Sequence, residues 1–233
     1  MHIYDQLWKE GTHALERGEP RLDPHLLQPS ADRRRGVSIN IRLNAAVRSR
    51  ISHFANQLAA EFPEQYFYRP DELHVTVLTL ISATELWRRE IREVAAFRRI
   101  LGDILGRHQS FDLQFRGVTA AANAVLVQGF PVGDGLESIR AGVRRAFAEN
   151  GLADRLDRRY RNEAAHVTLM RFRKPEADWR RLLSLVRANR QTDFGESRVE
   201  ALELVFCDWY ASSASLRVLQ KFPLMPARDD CKS

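Results

Sequence analysis

Residues 74–80 read His-Val-Thr-Val-Leu-Thr-Leu, and residues 166–172 read His-Val-Thr-Leu-Met-Arg-Phe. Both stretches are rich in apolar and β-branched residues and are too short for a typical helix, which predicts two β-strands. Residues i and i+2 of a strand point to the same face of the sheet. Each strand therefore presents one histidine and one threonine on one face of the sheet. The alternate residues, such as Val75 and Val167, point from the opposite face into a core.

The repetition of the His-x-Thr motif favours a shared site over two separate structural histidines. The chain has seven histidines and seven threonines among 233 residues, so chance would place a threonine two residues after a histidine only about 0.2 times. Two such pairs occur, His74 with Thr76 and His166 with Thr168. A single His-x-Thr pair would be explained equally well by a histidine buried in the core and bonded to backbone groups. The presence of two pairs makes this structural explanation the weaker of the two.

The sequence around each motif repeats as well. A strand that begins at Val37 precedes the first histidine by 37 residues, and one that begins at Asn123 precedes the second by 43. The strands that follow begin 37 and about 33 residues after the histidines. A repeat with two copies predicts two strand-helix-strand units related by a pseudo-twofold axis, with the histidine strands facing each other across the centre.

Apolar residues at helical spacing predict four helices between the strands. Pro63 ends the first helix, Thr84 is the candidate N-cap of the second, and Gly151 is the C-terminal stop of the third. The helices lie over 47–62, 84–107, 135–150 and 179–186, and the remaining strands over 37–43, 111–116, 123–130, 199–207 and 215–222.

The chain is predicted to divide into three parts. The first is an N-terminal arm with a short amphipathic helix, followed by a stretch that prolines break. A single domain and a short C-terminal tail follow. The arm covers residues 1–36, the domain 37–224 with lobes over about 37–118 and 123–224, and the tail 225–233.

Composition excludes several classes of protein. A hydrophobic share of 44% and a charged share of 28% are ordinary globular values, which excludes a disordered or fibrous chain. The longest apolar runs are too short to cross a bilayer, and no signal-peptide core opens the chain. Two cysteines, Cys207 and Cys231, cannot form a disulfide framework or a structural zinc site. These features predict a cytoplasmic protein without membrane association.

The charge balance is basic and is carried by arginine. The net charge is +6, and 32 of the 36 basic residues are arginines. The planar guanidinium suits phosphate better than a lysine point charge does, which fits an anionic partner such as a nucleotide or RNA. A genome that favours arginine codons would give the same composition, so the charge alone leaves the partner open.

The pair of motifs suits in-line displacement at phosphorus. Histidine titrates near neutral pH, so one imidazole can take a proton while an imidazolium gives another. The attacking and leaving oxygens lie on opposite sides of phosphorus, where two histidines related by a pseudo-twofold axis would flank them without a metal. Threonine hydroxyls can hold the non-bridging oxygens and stabilise the charge that develops there.

Three stretches resemble the motifs of the 2H phosphoesterase superfamily, which includes the 2′-5′ RNA ligase-like proteins and cyclic phosphodiesterases. Residues 69–77, Arg-Pro-Asp-Glu-Leu-His-Val-Thr-Val, resemble the first motif. Residues 165–171, Ala-His-Val-Thr-Leu-Met-Arg, resemble the second, and residues 216–224 are similar to the closing strand. The likeness covers Val37 to about Leu224. The alanine at the start of the second motif stands where the family commonly has proline, which is typical of a divergent branch.

This resemblance implies a site as well as a fold. It implies an α+β, bilobal fold with two pseudo-twofold-related lobes about a central cleft. It also implies a mechanism without a metal or cofactor, and a phosphodiester substrate that is often cyclic on a ribose. The motif positions that match in full give catalytic roles to His74 and His166, and phosphate binding to Thr76 and Thr168.

Four further residues are candidates for substrate binding: Arg171, Tyr66, Tyr68 and Arg159. Arg171 follows the second histidine by five residues, so it reaches the same face only if the strand bulges or ends there. Tyr66 and Tyr68 share the parity of the first histidine and can stack on a base or pack in the core. Arg159 lies in the arginine-rich segment 155–161, which is either a phosphate entrance or a solvated loop.

We therefore expect a metal-independent phosphodiesterase, acting as a monomer, that hydrolyses a ribose cyclic phosphate or a related 2′-linked phosphodiester of RNA or a nucleotide. One histidine activates water and the other protonates the departing oxygen, and the near-symmetry leaves their assignment open. Two alternatives use the same cleft. One is a non-catalytic RNA- or nucleotide-binding protein, and the other is a 2′-5′ RNA ligase that runs the reaction in the opposite direction.

Overall fold

The two histidine strands lie side by side at the centre of one antiparallel sheet. The computed structural model describes residues 3–156 and 164–226 of the chain. The strands are β1 (Arg35–Arg42), β2 (Tyr66–Phe67), β3 (His74–Thr84), β4 (Phe111–Ala121), β5 (Ala124–Pro131), β6 (Val167–Arg171), β7 (Asp193–Val199), β8 (Ala201–Cys207) and β9 (Arg217–Pro223). The helices are α1 (Ile3–Glu16), α2 (Ala45–Glu61), α3 (Trp87–Glu90), α4 (Val94–Leu105), α5 (Gly135–Glu149) and α6 (Trp179–Ala188).

The order of strands in the sheet is symmetric about the two histidine strands. It runs β7-β4-β5-β6-β3-β1-β8-β9, with β2 paired to β6 off this path. β3 and β6 are antiparallel neighbours, so four strands lie on either side of their common boundary. The predicted α+β fold, with two related lobes about a central cleft, is confirmed.

The two halves of the sheet are not the two halves of the chain. The lobes predicted over 37–118 and 123–224 would keep β4 beside β3, but β4 pairs with β5 in the other half of the sheet. β8, from the second half of the chain, pairs with β1. A tight turn between Ala121 and Ala124 joins β4 to β5 and requires them to be neighbours. Each lobe therefore takes strands from both halves of the sequence.

Local sequence explains why α2 and α6 begin where they do. The side chain of Asn44 accepts a hydrogen bond from the Val47 amide at 2.9 Å, and that of Asp178 accepts one from the Arg181 amide at 2.8 Å. Such caps satisfy backbone donors that a helix N-terminus leaves free. The buried faces of both helices carry the apolar stripes expected from sequence, and they close the core beneath the sheet.

The predicted helix over 84–107 begins later than expected. β3 continues to Thr84 because β1 pairs with it as far as Arg35. The threonine does not cap a long helix, although its hydroxyl accepts a hydrogen bond from the Leu86 amide at 3.2 Å. A single helical turn, α3, and a 3₁₀ turn over Ile91–Glu93 come before α4. The backbone hydrogen bonds that β1 offers outweigh the helical spacing of the first apolar residues.

The N-terminal segment is packed into the body of the protein. α1 lies on β4 and α6, and Leu15 is fully buried. The Tyr4 hydroxyl donates to the Gly129 carbonyl at 2.9 Å and accepts from its amide at 3.0 Å. A side chain at Gly11 would place its Cβ 2.4 Å from the carbonyl oxygen of Ala120, so glycine permits this close approach. None of the described helices has the length and hydropathy needed to span a bilayer.

Candidate active site

The two His-x-Thr motifs meet at one cleft. Their central valines are paired across β3 and β6, so each histidine lies beside the threonine of the other motif. His74 is thus a neighbour of Thr168, and Thr76 is a neighbour of His166. All four side chains line a cavity of about 370 Å³. The residues between and after them on the two strands face the opposite way and are fully buried: Val75, Val77, Val167 and Leu169.

A β-bulge brings Arg171 to the same cleft. The pairing of β5 with β6 shifts by one residue between Thr168 and Met170. Leu169 and Met170 are consequently both buried, and Arg171 lines the cavity with the histidines. The condition that the sequence sets for Arg171, a bulge in its strand, is met.

The two predicted tyrosines do not line the cavity, and one of them, Tyr68, holds Arg171. The hydroxyl of Tyr68 accepts a hydrogen bond from Nε of Arg171 at 2.8 Å, and the guanidinium carbon lies 6.0 Å from the centre of that ring. Tyr68 is buried, and its burial raises the pKa of its hydroxyl. The ring of Tyr66 packs edge-on against that of Tyr68, with 5.3 Å between ring centres, and in a tilted arrangement against that of Tyr210, with 5.5 Å between centres. These rings form a rigid support for the positive charge.

His74 is fixed by a backbone carbonyl. Its Nδ1 lies 2.6 Å from the carbonyl oxygen of Glu72, and because a carbonyl oxygen only accepts, Nδ1 carries the proton. Nε2 is then the nitrogen that can exchange a proton with a molecule in the cleft. The Glu72 carboxylate is itself buried and accepts hydrogen bonds from the Arg69 amide and from the amide and hydroxyl of Ser213. Glu72, whose carbonyl orients His74, is therefore held through its carboxylate by Arg69 and Ser213.

The surroundings of the His166 ring differ from those of His74. Its Nδ1 is buried and has no hydrogen-bond partner in the described part of the chain. Burial, together with the charges of Arg171, His74 and Arg140, lowers the pKa of His166 to about 4. Burial also lowers the pKa of His74, but the bond to the Glu72 carbonyl opposes the shift. Among the described residues, a carbonyl oxygen that stabilises the protonated ring is therefore present at Nδ1 of His74 and absent at Nδ1 of His166.

Arg140 lies behind the cleft, bonded to the backbone next to both histidines, and it was not among the residues predicted from sequence. Its side chain is only 2% exposed, Nε donates to the Val77 carbonyl at 3.1 Å, and Nη2 donates to the Ala164 carbonyl at 3.0 Å. A signal was present in the sequence. Arg140 follows Leu136 by four residues and precedes Val143 by three, which places a charged residue on the apolar face of α5. A buried arginine needs several acceptors, and two of them are a carbonyl of β3 and a carbonyl just before β6.

The comparisons with known proteins agree with this geometry. The sequence model of a family described as "AKAP7 2'5' RNA ligase-like domain" matches residues 37–219. The chain belongs to this family. The predicted resemblance to the 2H phosphoesterase superfamily is thereby confirmed. Among curated proteins, none matches the chain in sequence.

Solved structures similar to this chain share its fold at low sequence identity. TT0787 of Thermus thermophilus is 19% identical with a TM-score of 0.63, over 82% of this chain and 99% of that one. Escherichia coli LigT complexed with 3'-AMP is 18% identical with a TM-score of 0.53, over 82% and 98%. A conserved protein of unknown function from Agrobacterium tumefaciens, ATU0111, is 15% identical with a TM-score of 0.57, over 93% and 98%.

The N-terminal segment, which precedes the family match, forms one wall of the cleft in this AKAP7-like domain. Ile3 and Leu7 of α1 line the cavity together with the apolar end of the β4–β5 hairpin. Leu7 packs on the small cluster formed there by Ala121, Ala124 and Leu126. Trp209 lines the cavity as well, and the guanidinium of Arg34 lies 5.3 Å from the centre of its ring.

Arg159 lies outside the residues that the structure describes, so its predicted role stays a prediction. In the ranges 3–156 and 164–226, no cluster of three His, Cys, Asp or Glu side chains is placed to hold a metal ion.

Proposed function

We propose that this protein is a metal-independent phosphodiesterase that hydrolyses a ribose 2′,3′-cyclic phosphate or a related 2′-linked diester of RNA or a nucleotide. The observation that carries the proposal is the antiparallel pairing of the two His-x-Thr motifs. This pairing puts an imidazole and a hydroxyl at each end of one cleft, where a phosphate can lie between them. Membership of a 2′-5′ RNA ligase-like family supports this class of reaction.

The arrangement suits two proton transfers around one phosphorus atom during a single displacement. One imidazole takes a proton from water as the water oxygen bonds to phosphorus. The other gives a proton to the ribose oxygen as its bond to phosphorus breaks. The net reaction adds one water and leaves a phosphate monoester on the ribose. The two rings have then exchanged protonation states, and solvent restores them.

The other cleft residues suit the charge of such a substrate. The hydroxyls of Thr76 and Thr168 can donate hydrogen bonds to the non-bridging oxygens, and they do so best as negative charge grows there. Arg171 lines the cavity with a guanidinium held in place by Tyr68. A fixed positive charge near the phosphate stabilises the transition state without further rearrangement.

The nucleoside part of the substrate would lie along the wall that α1 builds. A cavity of about 370 Å³ is large enough for more than a phosphate group. The apolar surface of Leu7, Ala124 and Leu126 suits the face of a base, and Arg21 and Asn123 at the same end of the cavity offer polar partners for its edge. A LigT structure with 3'-AMP indicates that a relative of this fold takes a nucleotide.

A panel assay tests the proposal directly. The purified protein is incubated with 2′,3′-cyclic nucleotides, 2′-5′-linked oligoadenylates and ADP-ribose cyclic phosphate, with and without EDTA. We expect hydrolysis of at least one cyclic substrate to a single monophosphate isomer, at the same rate in EDTA. Binding without turnover across the panel would support the non-catalytic alternative, and joining of RNA ends through a 2′-5′ bond would support the ligase.

A further inference from the structure

The N-terminal helix α1 lies across the cleft face of β4 and β5. Leu7 packs on the apolar end of the β4–β5 hairpin. Tyr4 reaches further along β5, where its ring meets that of Phe130 edge-on, with 5.4 Å between ring centres. Phe130 follows Leu126 by four residues in the same strand, so both lie on the cleft face. The floor of the cleft therefore continues beneath α1, which covers it.

The helix is held close to the sheet along its length. The Tyr4 hydroxyl bonds to both the amide and the carbonyl of Gly129. A Cβ on Gly11 would lie 2.4 Å from the carbonyl oxygen of Ala120, so the backbones of α1 and β4 touch there. Leu15, one turn further along, is fully buried. These contacts make α1 a fixed wall at this end of the cleft.

The surface that α1 covers is partly polar. Thr119 lies opposite Leu126 in the pairing of β4 with β5, and Gln128 follows Leu126 by two residues, which places both on the cleft face. Oγ1 of Thr119, Nε2 of Gln128 and Oγ1 of Thr12 in α1 are buried without a hydrogen-bond partner among the described residues. Burial of such groups costs free energy, so packing alone would favour apolar residues here. A polar floor suits a groove for sugars and phosphates, and α1 closes it.

We propose that α1 is a specificity element that limits this end of the cleft to a single nucleoside and excludes an RNA strand that continues past it. The proposal rests on the phosphodiesterase activity and the position of the base proposed above. It assigns a free cyclic nucleotide, rather than the end of an RNA strand, as the preferred substrate class. The helix precedes the residues that the family model matches, so the restriction is an addition to the shared domain.

The covalent structure of RNA explains why a wall at this end selects by length. In a strand that ends in a 2′,3′-cyclic phosphate, the remaining nucleotides are attached through the 5′ oxygen of the terminal ribose. The base and the strand therefore lie on the same side of the phosphorus atom. With the phosphate between His74 and His166 and the base against Leu7, the strand would have to pass where α1 lies. A steric block of this kind selects by penalising the wrong substrate.

The preference is measured as the ratio of kcat/KM for 2′,3′-cyclic AMP to kcat/KM for a pentanucleotide RNA that ends in adenosine 2′,3′-cyclic phosphate. We expect a ratio of roughly ten or more in the wild type. Gly11→Ala keeps α1 helical, since alanine favours a helix, but its Cβ does not fit against Ala120 and α1 must shift away. The ratio should fall several-fold in this variant, with a gain in rate on the pentanucleotide itself.

Gly102→Ala is the matched control. It makes the same change inside α4, where a Cβ would meet nothing within 4 Å. We expect its ratio to equal that of the wild type. If Gly11→Ala is recovered unfolded, Tyr4→Phe replaces it, because this change keeps the ring but removes the bonds to Gly129.

A wild-type ratio near one would overturn the proposal, and so would a ratio that stays at the wild-type value in the folded α1 variant. Competition binding separates this outcome from failure of the phosphodiesterase proposal. Free 3′-AMP and a pentanucleotide with a 3′-terminal phosphate are compared as competitors of a fluorescent 3′-AMP analogue, which needs no turnover. Stronger competition by 3′-AMP, reduced in Gly11→Ala, would support the role of α1 even in a protein that hydrolyses nothing. Equal competition by the two ligands would refute it.

Discussion

The hydroxyl of Tyr68 accepts a hydrogen bond from Nε of Arg171 at 2.8 Å, beside a bulge that turns Arg171 into the cleft. The bulge alone would set the direction of the side chain but leave a long, mobile guanidinium. Tyr68 is buried, and the side chains packed around it restrict the movement of its ring. The pair therefore converts a flexible arginine into a fixed positive charge near both histidines.

Replacement of Tyr68 by phenylalanine keeps the ring but removes the acceptor. Because hydrogen bonds to charged groups contribute about 1.5–3 kcal/mol, we expect kcat/KM to fall about tenfold while the Tm changes by only a few degrees. Arg171→Lys should cost more, since lysine has neither the Nε donor nor the fork. Steady-state kinetics with a cyclic nucleotide, together with thermal denaturation, measure both effects. Wild-type kinetics in Tyr68→Phe would mean that Arg171 is held in place without this bond.

Removal of either imidazole should abolish turnover without unfolding the protein. His74→Ala and His166→Ala each remove one of the two groups that transfer protons, a contribution of about 10²–10⁴-fold in rate. The core face of both strands is unchanged by these substitutions, because the buried valines supply it. Initial rates and circular dichroism on the same preparations separate chemistry from folding. Rates within a few-fold of wild type in either variant would refute the acid-base mechanism.

The motif threonines allow an isosteric test of phosphate binding. Thr76→Val and Thr168→Val keep the branched shape that suits a strand but remove the hydroxyl donor. Loss of one donor to a developing oxyanion costs about 10²–10³ in kcat, so we expect a fall of about 10²-fold with a smaller change in KM. Thr76→Ser and Thr168→Ser restore the hydroxyl and should recover most of the rate. Valine variants as active as the serine variants would show that the hydroxyls do not contact the phosphate.

The low pKa of His166 predicts that stability depends on pH. Burial, with Arg171, His74 and Arg140, lowers this pKa to about 4, whereas an imidazole in an unfolded chain titrates near 6.5. The unfolded chain therefore binds a proton between these values that the native state does not bind, so the free energy of unfolding falls as pH drops through this window. None of this loss is present above about pH 6.5, and the loss reaches about 3 kcal/mol by pH 4.

Urea denaturation at pH 7.5 and pH 4.5 measures this effect. The wild type and His166→Gln should differ in how much stability they lose between the two pH values, with the variant losing about 2–3 kcal/mol less because it has no imidazole to protonate. Titrating groups that do not interact with His166 contribute equally to both proteins and cancel in the comparison. Equal losses would mean that His166 is protonated in the native state over this range.

The sequence predicted the parts of the molecule that local periodicity controls. The histidine strands, α2 and α5 follow from alternation or helical spacing, and burial later agrees with it. The crossing of β4 to the far side of β5 could not be predicted, because strand pairing is a long-range property that only the β4–β5 turn hints at. β7 was missed because Asp193–Val199 is largely polar and contains Gly195 at a φ of 91°.

The site was predictable to the same extent. The two histidines and two threonines were predictable because residues i and i+2 of a strand lie on the same face of the sheet. The position of Arg171 depends on a β-bulge, which the spacing of residues does not reveal. Arg140 breaks the rule that helix faces against a core are apolar. Such violations are expected where function needs them, and a sequence pattern alone treats them as noise.

The wall that α1 adds to the cleft predicts a role for Leu7 in substrate binding. Leu7 lines the cavity and packs on Ala121, Ala124 and Leu126, while its neighbour Gln6 is exposed and hydrogen-bonded to Glu10 at 2.9 Å. Leu7→Asp removes an apolar contact with the base and puts a negative charge where an anionic substrate must pass. A loss of about 1.4 kcal/mol of contact energy raises KM about tenfold. Because the proposed pose puts Leu7 against the base and the scissile phosphate between the histidines, kcat should change less than twofold.

The variant Gln6→Asp is the control for the charge. It introduces the same carboxylate one residue away, on the solvent side of α1, so it tests long-range repulsion without touching the wall. We expect its KM for 2′,3′-cyclic AMP to stay near wild type, and we expect Leu7→Asp to affect a cyclic phosphate of ribose without a base much less than the nucleotide. Equal KM increases in both variants would assign the effect to electrostatic repulsion. An unchanged KM in Leu7→Asp would place the base at the opposite end of the cleft, beside Trp209.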